Sequence, residues 1–143
     1  MTLSFIPNLE TQLLIDKADN GCAESQLTVA TYYLGSPFLH KDRFKSYYYH
    51  CAFLKQDYEK VIAKRLTSPI FHISTFAVAG LLALNLDKYQ EAKQHYLSAL
   101  DYANRYLTSK ECQKLAEKYH IYQRLDEIEQ IENGTLVPKE LVN

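Results

Sequence analysis

Apolar positions along this chain recur every three or four residues, and no segment alternates cleanly with period two. The pattern predicts helices divided by short punctuation. Asn8 caps a first helix with Leu9, Leu13, Leu14 and Ala18 on one side, and Gly21 ends it. A second helix runs from about Ala23 to Leu34, with Leu27, Ala30, Tyr33 and Leu34 as its stripe; Gly35 stops it and Pro37 blocks resumption. Asp42 caps a third, in which Phe44, Tyr47, Tyr48, Cys51 and Leu54 fall at helical spacing, and a shorter piece covers Tyr58 to Leu66. Ser68-Pro69, a cap with proline at the first helical position, opens a strongly apolar helix through Phe76, Ala79, Gly80, Leu81, Ala83 and Leu84.

Asp87 to Gln90 reads as a capping box with Asp in place of Ser or Thr, and starts a helix carrying Ala92, Tyr96, Ala99 and Leu100. Thr108 to Glu111 is a second box, opening one long helix over 108–132 that Asn133-Gly134 ends; residues 135–143 read as a loose tail. The expectation is an all-α fold of about seven helices joined by short connections, in a single domain over 1–134.

Two segments carry a resemblance. Ala23-Glu24-Ser25-Gln26, followed by Ala30, Tyr33 and Gly35, resembles the first helix of a Sel-one-like repeat, A-E-A-Q-x-x-L-G-x-x-Y-x-G. Lys17 to Gly21 is similar to the end of a preceding repeat, and Asp42 to Ser46 with Tyr49 to its second helix. Ala30 stands for a glycine there, Ser46 stands for an alanine, and the loop from Ser36 to Lys41 is one residue longer than the pattern. Gly80, Tyr89, Ala92, Tyr96 and Ala99, with Phe76 at the large first-helix position, resemble the related tetratricopeptide repeat, without its closing proline. The repeat-like stretches are 17–54 and 73–104. The resemblance implies a short right-handed α-solenoid of stacked antiparallel hairpins, capped by the long C-terminal helix. Small residues such as Ala30, Gly80, Ala92 and Ala99 would let helices approach, with Tyr33, Phe76 and Tyr96 filling the space between.

Composition narrows the function classes. Sixteen Lys and Arg against 17 Asp and Glu leave a net charge of -1, without the basic field that a general nucleic-acid or anionic-membrane binder needs. Four glycines and four prolines are too few for a strand-and-turn protein or a phosphate-cradling fold. Met1 to Leu9 lacks a basic start and is interrupted by Pro7, so it does not read as a secretion signal. The longest apolar run, Phe76 to Leu84, is nine residues, against the roughly 20 that span a bilayer. Cys22, Cys51 and Cys112 are odd in number, widely spaced and without a C-x-x-C pair, which reads as three reduced thiols in the core of a cytoplasmic protein.

No catalytic set, metal site or cofactor is expected. There is no H-E-x-x-H, Gly-rich phosphate loop or nucleophile elbow, and Glu117 to His120 is a single E-x-x-H where a di-iron bundle needs two. His50 reads as a packed histidine, and Glu91 with His95 as a surface pair one turn apart. Three surfaces remain as partner sites. If the repeat register holds, a concave side is lined by Glu24, Leu27, Thr31 and Leu34 and by Ala77, Leu81, Leu84 and Asn85. That lining lacks the Lys and Asn or Arg of a carboxylate clamp. Tyr47, Tyr48 and Tyr49 surround much of one helix, so one or two of them are expected outside for partner contact. Asp126, Glu127, Glu129 and Glu132 are four acids with no intervening base, an electrostatic dock for a basic partner.

The leading expectation is therefore a non-enzymatic helical-repeat adaptor for a protein or peptide. A stoichiometric inhibitor, such as an immunity protein against a bacterial toxin, is one version, because the acidic helix suits a basic toxin domain. A ligand-sensing regulator with a peptide or small molecule in the groove is the alternative. An enzyme would have to use His120 with Glu117, or His50 with nearby tyrosines. The open ends of such a stack could also pair two copies into a homodimer.

Overall fold

The computed structural model describes residues 7–136, and among them the chain is all-α, with eight helices and no strand. They are α1 (Leu9–Asp19), α2 (Ala23–Leu34), α3 (Arg43–Leu54), α4 (Tyr58–Ala63), α5 (Pro69–Asn85), α6 (Tyr89–Tyr106), α7 (Ser109–Lys118) and α8 (Ile121–Glu132). The chain gathers into two compact units, Met1–Leu66 and Thr67–Asn143. Repeat-like stretch 17–54 falls in the first and 73–104 in the second. The reading of the first residues as no signal, and that of the tail beyond residue 136, lie outside the described residues.

Helix starts follow the caps written in the sequence. Asn8, Asp42 and Ser68 each accept a hydrogen bond from the backbone N–H three residues on, at 2.8, 3.0 and 3.3 Å. Thr108 and Glu111 make both bonds of a capping box. Asp87 is a correction. It is the left-handed residue of the α5–α6 turn, at φ +60°, and its carboxylate accepts from the Tyr89 hydroxyl at 2.9 Å. The turn between the two helices is only Leu86 to Lys88. A reversal that short needs one residue at positive φ, a conformation Asp tolerates better than most side chains. The α6 N-cap is then Lys88, which makes no side-chain cap bond.

In the first unit α2 packs against both α1 and α3, around Ala18, Val29, Ala30, Tyr33, Leu39 and Tyr49. Tyr33 and Tyr49 stack with centroids 6.0 Å apart, and the Tyr49 hydroxyl donates to Asp19 at 2.7 Å. Polar side chains join the same helices. Gln26, buried, donates to the Ala18 carbonyl at 3.1 Å, and Gln56 donates to both Gln26 and the Gly21 carbonyl. Ser46, also buried, donates to the Ala30 carbonyl at 2.8 Å.

The α3 stripe differs from the expected one. Ser46, Tyr47, Tyr49, His50 and Phe53 are inside, while Phe44 and Tyr48 are 67% and 64% exposed. Ser46 and His50 tolerate burial because they bond each other and backbone carbonyls. His50 Nδ1 lies 2.9 Å from the Ser46 carbonyl, and a carbonyl only accepts, so that nitrogen carries the proton.

In the second unit α5 and α6 form a hairpin. Ten of the 17 residues of α5 are buried, which explains why it reads as apolar on nearly every side. Tyr96 enters from α6 above Gly80 and is 1% exposed. Burial pushes its hydroxyl up to about 12. Lys93 and Gln90 near the start of α6 reach Glu132 at the end of α8, at 3.5 and 2.8 Å, so α8 runs back along α6.

The single long helix expected over 108–132 is broken into α7 and α8 at His120, which sits at φ +52°. Packing explains the break. At about 100° per residue, one straight helix would turn Ile121 and Ile128 roughly 120° away from Leu115 and Ala116. All four are buried, and the bend is what allows it.

Candidate functional site

The residues proposed for the concave side divide by unit. On α2, Glu24 and Thr31 are exposed and Leu27 and Leu34 half-buried. On α5, Leu81 is exposed and Asn85 half-buried, but Ala77 and Leu84 are buried and cannot meet a partner. Leu81 and Asn85 belong to a longer outward stripe with Ile70, Ser74 and Val78, within about 80° of arc, and Phe71 borders it. Ile70, Phe71 and Leu81 are all exposed, on a helix that is otherwise mostly core.

The three consecutive tyrosines separate. Tyr47 and Tyr49 are each 7% exposed and serve the core, so neither is a partner contact; Tyr48 alone stands out, edge-on to Tyr49. With Phe44 one turn earlier it makes an outward aromatic pair on α3.

The acidic helix is less acidic than its sequence. Arg124 pairs with Glu127 at 3.2 Å, and Lys93 with Glu132 at 3.5 Å. Asp126 accepts from Gln130 at 2.7 Å, and Glu129 is exposed. Reading acids only along their own helix missed Lys93, which folding brings over from α6.

The thiols are not the core residues expected. Cys22 is exposed and Cys51 and Cys112 are half-buried. Cys22 is the residue before α2, and the Ser25 hydroxyl donating to its sulfur at 3.2 Å holds the thiol below its usual value. Cys112 donates to the Ala103 carbonyl at 3.1 Å. Burial lowers the pKa of His50, His72 and His95, in His72 to about 4.

What the sequence did not disclose is a cleft of ≈ 780 Å³ where the end of α6, α7 and the start of α8 meet. Its floor is Leu100, Ala103, Leu107 and Ala116, and its rim includes Gln113, Glu117, His120, Tyr122 and Gln123. It exists because the chain bends at His120, and the one E-x-x-H spacing of the sequence, Glu117 and His120, falls at that bend. Both residues of that spacing line the cleft. Among the described residues no group of three or more His, Cys, Asp or Glu is placed to hold a metal ion, and no helix is long and apolar enough to cross a membrane. No family model, curated protein or solved structure matches the chain.

Proposed function

We propose that this chain is a non-enzymatic helical-repeat adaptor that binds a protein or peptide, with the right-handed α-solenoid suggested by the repeat resemblance as its architecture. The observation that carries the reading is the outward stripe of α5. Ile70, Phe71 and Leu81 present large apolar side chains to water on a helix whose other faces are packed. Single exposed leucines are ordinary on a protein surface, but several aligned on one helix favour a partner. A small residue facing a large one, Gly80 beneath the Tyr96 ring, supports the repeat reading, as does the close approach of two small residues where Ser46 of α3 meets Ala30 of α2.

Photo-cross-linking tests this. A benzophenone side chain at position 81, in cells of the source organism, is expected to give one discrete adduct. The same group at exposed Gln94 on α6 should give none. Phe71→Asp should abolish the adduct while leaving the helical circular dichroism intact. Equal, diffuse labelling from both positions would remove the proposal. The toxin-neutralising version draws on Asp126 and Glu129, the two acids of α8 without a basic partner among the described residues. Reversing both to Lys should weaken capture of a basic partner, and unchanged capture would dispose of that version.

A further inference from the structure

We propose that the cleft between α6, α7 and α8 docks a short protein segment that carries a lysine or arginine next to an aliphatic or aromatic side chain. The floor of Leu100, Ala103, Leu107 and Ala116 takes the apolar member. The rim selects the basic one, because it is rich in acceptors. Gln113 donates its amide to Glu117 at 3.1 Å, and Gln123 donates its amide to Glu127 at 3.1 Å. Each carboxamide is thereby turned so that its carbonyl oxygen accepts no hydrogen bond among the described residues. Glu117 adds a carboxylate, and Tyr122, 68% exposed, adds a ring face.

Among the described residues no lysine or arginine lines the cleft. An acidic group would therefore meet the Glu117 carboxylate with only Asn104, Ser109, His120 and the start of α8 to attract it, and a purely apolar one would leave the rim acceptors to water. An ammonium or guanidinium brings several donors together and can lie over the Tyr122 ring. The start of α8 is the competing feature, since it has no acidic residue in its first turn and no side-chain cap. The positive end of a helix there favours an anion, so an acidic segment is the outcome to test against.

The test is an amide chemical-shift titration of the full chain with acetyl-Phe-Arg-amide, its citrulline analogue and acetyl-Phe-Glu-amide. The arginine peptide should shift residues 100–123 saturably, with the citrulline peptide weaker by about fivefold and the glutamate peptide silent. Glu117→Gln should erase the difference between arginine and citrulline without disturbing the spectrum elsewhere. Equal binding of all three, tighter binding of the glutamate peptide, shifts outside the cleft, or no shift up to about 10 mM would each overturn the proposal. The proposal rests on the partner-binding reading only for the occupant being a protein segment. A silent titration with the position-81 adduct retained overturns the cleft alone. Loss of the adduct with the titration intact removes the adaptor reading and leaves the basic preference standing.

Discussion

A Cβ placed on Gly80 would stand 2.9 Å from Cζ of Tyr96, closer than side chains tolerate. Glycine is therefore required in the middle of α5, where alanine would otherwise favour the helix by about 1 kcal/mol. The Tyr96 ring has no room to retreat, being 1% exposed. Gly80→Ala is expected to destabilise the protein by about 1–2 kcal/mol despite its better helix propensity. Tyr96→Phe leaves the clash in place and should not rescue it, whereas Tyr96→Leu should recover part of the loss. Urea denaturation of the three backgrounds measures this, and a stabilised Gly80→Ala single variant would contradict the packing described.

Acid should weaken the fold through histidines held neutral by burial. For His72 the folded pKa is about 4, against an ordinary value of 6.5. Below pH 6.5 the unfolded chain binds a proton that the folded chain refuses, so stability falls as pH drops from about 6.5 to about 4 and is flat, for this group, above that window. The loss from His72 is on the order of 3 kcal/mol, and His50 and His95 act in the same direction. Urea midpoints measured across this range should show the slope, and His72→Gln should flatten it. A slope unchanged by that substitution would place the acid sensitivity elsewhere.

His120 holds the bend between α7 and α8 in a conformation that disfavours side chains, at φ +52°. His120→Gly should raise stability by about 0.5–1 kcal/mol by releasing that strain, and His120→Val should lower it by about 1–2 kcal/mol. Thermal melts decide the order, and a destabilised glycine variant would mean that the imidazole itself contributes.

The three thiols should react in a fixed order. Cys22 is exposed and favoured as thiolate by the Ser25 hydroxyl, while Cys51 and Cys112 are half-buried. With a disulfide reagent near neutral pH, Cys22 should react about tenfold faster than either of the others, and Ser25→Ala should slow it. Mass spectrometry of partly labelled protein identifies the first site, and first labelling at Cys112 would reverse the assignment.

Helix existence was legible because caps and terminators are local chemistry. Asn8, Asp42, Ser68 and Thr108 each act through their own backbone neighbours. Facing was less legible. His50 was legible as a packed histidine, but Gln26 on α2 and Ser46 on α3 are buried through hydrogen bonds that cross between helices, and on α3 a hydrophobicity stripe counted the exposed Phe44 and Tyr48 instead. The bend at His120 was hidden because no glycine or proline marks it, and the cleft was hidden with it. Of the candidate sites, the residues themselves were readable. Their availability was not, since Tyr47 and Tyr49 are occupied by the core and Glu132 by a lysine 39 positions away.

Gln56 grips Gly21 and Gln26 at once, from beyond the far end of α3. The first three helices are thus joined at one end by two amides, Gln56 and Gln26, while the opposite end is a loop, 36–41, that lies outside this latch. Lengthening that loop leaves the latch engaged. Deleting one residue within α3 rotates Gln56 away from both of its acceptors together. New sequence is therefore accepted at one pole, beside exposed Pro37 and His40 and with the buried Leu39 left in its seat, whereas a change of count along the helices is not.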